Sequence, residues 1–214
     1  MKKSMLFVMT SWAILSVTTM PANAEGNIEA GKEKSAACVA CHGMDGNSFA
    51  PMWPKLAGQS PNYIKKQLTD FKAERRTDPS MAPMVKPLSE QDIKDLAAYF
   101  SSQTVKPGSS SQPDLVDLGK QIYRNGKKPQ VTACVGCHGL KGKGNYVTLT
   151  DIGVSSIVEA PAIGSQHAEY ITKQLKAFKD KSRANDVDNV MQKIVKGLNE
   201  QEIEAVAQYI AGLN

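Results

Sequence analysis

Apolar residues recur at helical spacing in separate stretches of the chain, and the clearest of them open on capping signals. Tyr63, Ile64, Leu68 and Phe71, with Gln67 among them, form one face behind Ser60, a good N-cap, with Pro61 at the first helical position. Ile93, Leu96, Ala97 and Phe100 form another, started by Ser89 with Asp92 three residues on, a capping-box pattern. Ile203, Val206, Ala207 and Ile210 follow Asn199 and Glu202 in the same way. Asp114 is expected to cap one more helix, the first of the second half. The pattern predicts an all-α chain of short helices joined by long loops. Residues 103–113, serine-rich and carrying Pro107, Gly108 and Pro113, read as a linker.

The helices come in two sets. The run Pro54 to Leu68 is echoed by Pro161 to Leu175, 107 residues later, and Leu88 to Ile93 returns as Leu198 to Ile203, 110 residues later. This repeat divides the chain into a first domain, 25–102, and a second, 114–214. Each is small and has few large hydrophobic side chains to bury, so a further apolar body is expected to complete each core.

That body is indicated by the cysteines. All four lie in two pentads, Cys38-Val39-Ala40-Cys41-His42 and Cys134-Val135-Gly136-Cys137-His138, 96 residues apart. Two cysteines three positions apart can form thioethers to the vinyl groups of one haem, and the adjoining histidine then serves as proximal iron ligand. A thioredoxin-like motif gives no reason for the histidines. A zinc site built from two such pairs normally has a short spacer, and structural disulfides again leave His42 and His138 unexplained. The motif therefore predicts two covalently bound haem c groups on Cys38, Cys41, Cys134 and Cys137.

Residues 1–24 read as a cleaved signal peptide: Lys2 and Lys3, a short apolar run from Met5 to Val17, and Ala22-Asn23-Ala24 at the cleavage site. This predicts export, to the periplasm of a Gram-negative cell. Losing Lys2 and Lys3 from 26 basic residues leaves 24 against 21 acidic ones, so the formal +5 becomes +3 before the haem propionates are added. No basic stripe stands clear of acidic neighbours, which argues against a nucleic-acid partner.

The sixth iron ligand separates a carrier from a catalyst. Of nine methionines, Met191 alone follows the second pentad, eight residues before the Asn199 cap. Met81 stands eight residues before the Ser89 cap and is its counterpart, with Met84 the competitor. His167 aligns with the helix cap Ser60 and is expected to be a cap or surface residue. Pro54 and Pro161, in register beyond their pentads, are candidates to present a carbonyl to the outer N–H of each histidine.

In this combination the chain resembles the dihaem cytochrome c4 proteins. The likeness rests on the two pentads, Asp45-Gly46-Asn47-Ser48, the Pro54-to-Gln59 run with Tyr63 and Gln67-Leu68, the loop methionine, and the Leu88-to-Phe100 helix. The resemblance implies two tandem class I cytochrome c domains packed together, with His42 and Met81 on one iron and His138 and Met191 on the other. It also implies a periplasmic carrier, soluble or loosely held at the membrane surface, taking electrons from a redox protein and passing them to a terminal oxidase, often of the cbb3 type. The insertion from Leu140 to Glu159, beginning Lys141-Gly142-Lys143-Gly144, departs from the pattern. The near-symmetrical repeat argues against an enzyme such as a dihaem peroxidase with one open iron; a cytochrome subunit of a dehydrogenase is the other alternative.

Overall fold

The computed structural model describes residues 26–148 and 157–214, so the expected signal peptide and the middle of the insertion lie outside the described residues. In the first half, α1 (Ile28–Lys34), α2 (Val39–His42), α3 (Pro61–Lys72), α4 (Ala82–Val85) and α5 (Glu90–Ser102) follow one another. The second half carries α6 (Val116–Asn125), α7 (Val135–His138), strands β1 (Asn145–Thr148) and β2 (Ile157–Ala160), then α8 (Ala168–Lys179), α9 (Val190–Val195) and α10 (Glu200–Ala211).

The capping residues place the long helices. The Ser60 hydroxyl accepts the Tyr63 amide at the start of α3. Ser89 and Asp92 exchange side-chain to backbone bonds at α5, as Asn199 and Glu202 do at α10, so two otherwise orphaned amides are satisfied at each end. Asp114 does not cap α6. It lies inside a 3-10 turn, Pro113–Leu115, and α6 starts from Leu115 with no side-chain cap. Pro113 pre-sets that tight turn, whose carbonyl takes the Val116 amide and leaves Asp114 with no capping position.

In each half the first and last helices cross at a glycine. A Cβ on Gly31 would lie 2.0 Å from the Asp95 carbonyl oxygen, and one on Gly119 would lie 1.9 Å from that of Ala205. The cores are unequal. The first gathers Ile64, Leu96, Ala97, Tyr99 and Phe100, whereas the second adds Tyr123, Val131, Leu198 and Leu213 to the equivalents of α3 and α5.

The two strands were not foreseen by the helical pattern. They pair antiparallel, Asn145 opposite Ala160 and Val147 opposite Val158, where β-favouring residues of the insertion find a partner strand. The hairpin leans on the first half: Ser60 donates to the Glu159 carboxylate, and Asn62 donates to the Tyr146 hydroxyl at 3.1 Å.

The halves meet about an internal two-fold relation. Gln59 donates to the Ala162 carbonyl (2.8 Å) and accepts its amide (2.9 Å), while Gln166 does the same to Lys55 (2.9 Å each). Both pairs obey the 107-residue offset, so one repeated surface recognises itself.

Candidate functional site

The pentads build the site from short helices. In α2 the Cys38 carbonyl accepts the amides of Cys41 (3.3 Å) and His42 (2.9 Å), and in α7 Cys134 does the same for Cys137 (3.2 Å) and His138 (2.9 Å). Residues three apart share a helix face, so the two cysteines of each pair lie on one side of their turn. Gly43 and Gly139 end these turns at φ 76° and 77°, which glycine adopts without strain.

Each histidine is held by a proline carbonyl across the crevice. His42 Nδ1 lies 2.8 Å from Pro54 O, and His138 Nδ1 lies 3.0 Å from Pro161 O. A carbonyl only accepts, so Nδ1 must carry the proton and Nε2 is left with its lone pair. Burial keeps both imidazoles below their ordinary pKa, with the carbonyl contact opposing it. All four cysteines are free thiols. Burial raises Cys38, assisted by Cys41, and pushes Cys134 up to about 12. Among the described residues no three His, Cys, Asp or Glu side chains converge as a metal cage.

One continuous, largely apolar cavity runs through both halves. Cys38, His42 and Met81 line it from the first, and Cys134, Cys137, His138 and Met191 from the second; Cys41, half-buried, is not part of the lining. Met81 immediately precedes α4, and Met191 sits in the first turn of α9 instead of a loop. Met84 also borders the cavity and is 38% exposed.

His167 is neither a side-chain cap nor a surface residue. It occupies the N-cap position of α8 without a cap bond, and its Nε2 lies 3.0 Å from both the carbonyl and the hydroxyl oxygen of Ser48 in the other half. The Ser48 hydroxyl donates to Trp53 O, so Nε2 is the donor. The alignment with Ser60 hid this, because both side chains reach across to the other half and a helix-end position says nothing of so distant a partner.

Sequence reasoning also missed two arginines that obey the 107-residue offset. Arg76 donates to Gln67 (2.7 Å), Tyr170 (2.9 Å) and Gln174 (2.9 Å), and Arg183 donates to Gln174 (2.7 Å), Tyr63 (2.9 Å) and Gln67 (3.1 Å). Their guanidinium groups lie over Phe71 and Phe178, 4.5 and 4.4 Å from the ring centres. Both line the cavity, and these side-chain acceptors are all neutral. Burial acts to raise the Tyr63 pKa, yet Arg183 and Arg76 together bring it down.

Beside them Asp70 is buried and accepts from Lys66 (2.5 Å), Asn185 (2.7 Å) and Arg75 (2.8 Å). Burial would raise its pKa, but these three donors outweigh it and hold the carboxyl below its ordinary value. A carboxyl depressed in the folded state adds stability that is complete above the unfolded value, about 4, and is lost as pH falls through the folded one. Asp70→Asn is therefore expected to cost about 2 kcal/mol at neutral pH. Urea unfolding across a pH series should show that gap closing below about pH 4.

Comparison with known proteins bears on this geometry. The cytochrome c family model matches twice, over residues 28–104 and 116–214. Cytochrome c4 of Thiocapsa roseopersicina is 43% identical over 191 residues, covering 88% of this chain and 94% of that one. The chain belongs to the cytochrome c4 family. The crystal structure of reduced recombinant cytochrome c4 from Pseudomonas stutzeri superposes with a TM-score of 0.79 at 42% identity, over 88% of this chain and all of that one. A protein named thiosulfate dehydrogenase electron acceptor, from Stutzerimonas stutzeri strain A1501, is 30% identical over 83% of this chain and 79% of its own length.

As a member of the cytochrome c4 family the chain is an electron-transfer cytochrome of two tandem, mostly helical domains. It carries two covalent haem c groups, one on Cys38 and Cys41 and one on Cys134 and Cys137. The residues present fit them: free thiols in pairs three residues apart, an imidazole with its Nε2 lone pair left over, and an apolar cavity bordered by Arg76 and Arg183, whose side-chain hydrogen-bond acceptors are neutral. Among the described residues no helix is long and apolar enough to cross a membrane.

Proposed function

We propose that the chain is a periplasmic carrier that receives single electrons from a redox protein and delivers them to a terminal oxidase of a respiratory chain, the cbb3 type first among them. Residues 1–24 are its leader, 25–102 and 114–214 its two domains, and 103–113 the linker. Each half offers the cavity one histidine and, eight residues ahead of a helix cap, a methionine: Met81, with Met52 and Met84 also on the lining, in the first half and Met191 in the second, and this pairing carries the reading. His42 with Met81 and His138 with Met191 are the axial ligands of this reading.

The haem supplies a one-electron couple. The chain's residues decide how it is used. Pro54 and Pro161 hold each imidazole in one tautomer and orientation. A methionine kept in both oxidation states favours a higher potential and leaves no open position for bond chemistry, so the protein acts as a carrier and not as an enzyme. Arg76 and Arg183 would neutralise propionates within the interface, where a buried cation needs an anionic partner. The continuity of the cavity supports electron exchange between the halves.

A second reading concerns the donor. Similarity to proteins named thiosulfate dehydrogenase electron acceptor favours a dehydrogenase as the source of electrons. Reduction by such an enzyme, followed by reoxidation with a terminal oxidase, is the direct assay for both ends.

The ligand set is tested by the weak far-red absorption band of methionine bound to ferric haem. Wild type is expected to show it at two-haem intensity, and Met81→Ala and Met191→Ala each to remove about half. If Met84→Ala and not Met81→Ala removes it, the ligand of the first iron is reassigned. A wild-type band at half intensity would leave one iron open and turn the reading toward a peroxidase.

A further inference from the structure

The segments that carry the two methionines differ in length, and the difference falls in one place. Asp78 and Asn185 are equivalent at the 107-residue offset, whereas Met81 and Met191 stand 110 apart. Three extra residues therefore lie between Asn185 and Met191. This longer segment is strained, since Asp188 (φ 51°) and Asn189 (φ 56°) are left-handed without being glycine. Within it the Asp186 carboxylate accepts the amides of Met191 (2.8 Å) and Gln192 (3.3 Å). The backbone of Met191 thus hangs on the residue next to Asn185.

Asn185 is held by the other half of the molecule. Its Nδ2 donates to Asp70 (2.7 Å) and to Gln67 (3.0 Å), and its carbonyl accepts from Lys66 Nζ (2.6 Å). Asp70 is only 3% exposed, so these bonds are sheltered from water. Position 177, its counterpart in the second half, is alanine. The first half's methionine segment is tied across the interface differently, through Lys173 and Asp78 at 3.2 Å, with the lysine side chain 56% exposed. A surface pair of that kind holds weakly.

We infer that Asp70 and Lys66, on α3 of the first half, are positioning residues for Met191 of the second, so that one domain governs how firmly the other's iron keeps its methionine. The inference rests on Met191 being an axial ligand. A strained segment opens locally at a rate set by what restrains it, and opening exposes the iron to any competing ligand. The apparent affinity of such a competitor rises with the open fraction.

Imidazole is the probe, titrated into the full-length, haem-loaded ferric protein while the methionine band is followed. Met81→Ala leaves only the band of Met191, and Met191→Ala only that of Met81. In the Met81→Ala background, Asp70→Ala is expected to raise imidazole affinity about tenfold and Lys66→Met about threefold, the loss of charge-assisted bonds. In the Met191→Ala background both should change it less than about twofold, while Lys173→Met acts weakly there and not on the other haem. An equal shift in both backgrounds would mean general loosening and overturns the inference, as does no shift in the first. If Met191→Ala leaves the wild-type band intact, the ligand assignment falls, and this inference with it.

Discussion

Replacing Cys38 and Cys41 together by serine is expected to halve the haem content and leave the first half without an ordered core, while the second half folds and keeps its haem. The buried cluster of the first half is only Ile64, Leu96, Ala97, Tyr99 and Phe100. Much of the apolar surface of α3, with Met81 and Val85, instead faces the cavity. Each large apolar side chain left against water forfeits about 2 kcal/mol, and a domain has only about 5–15 kcal/mol in total. Losing the filler therefore exceeds what so small a cluster can supply. Haem per chain from the alkaline pyridine spectrum and helix content from circular dichroism would read the result. The same change at Cys134 and Cys137 should be milder, because Tyr123, Val131, Leu198 and Leu213 give that half a larger core of its own. Full helix content with a single haem in the Cys38/Cys41 variant would show that the protein core suffices.

Gly119→Val is expected to lower stability by about 3 kcal/mol or more, a fall of roughly 15 °C in thermal midpoint if the half unfolds as a unit. The new Cβ would meet the Ala205 carbonyl oxygen at 1.9 Å and its carbon at 2.6 Å. These are backbone atoms of α10 that cannot swing aside, so α6 must move off the helix it crosses. Gly136 is the control. A Cβ there meets nothing within 4 Å, and since it lies in α7, Gly136→Ala should be neutral or gain about 0.5 kcal/mol. Calorimetry of the loaded protein compares the two directly. Equal midpoints would mean that the helix crossing is looser than the contact distances require.

Much of the architecture was legible because its signals are local. Ser60, Ser89 and Asn199 cap where they stand, as each side chain reaches an amide only two or three residues away. The pentads carry their own geometry, since one helical turn sets both thiols and the histidine. The repeat then placed Pro54 and Pro161 in equivalent loops, and in both halves that carbonyl meets the imidazole. Where a local signal competed with an equally local alternative, it misled: Asp114 looked like a cap, but Pro113 made a tighter turn there.

What lay beyond the sequence was every contact between distant residues. His167 read alone as a cap or surface position and Arg76, Arg183 and Asp70 carried no signal, yet each is committed across the interface at a separation of 94 residues or more. Their roles depend on how one repeated surface meets itself, which no spacing along the chain encodes. The pairing of β1 with β2 is of the same kind, because a four-residue strand exists only against its partner. The haem attachment points, the capped helices α3, α5 and α10, and the duplication were readable along the chain, because caps and pentads act within a few residues and the repeat is written out in full. Tertiary packing alone opens the two crevices into one cavity and brings Asp70 and Lys66 of one half onto Asn185, in the methionine segment of the other. Those outcomes follow from docking two folded units, and that docking turns on side-chain partners about a hundred residues away.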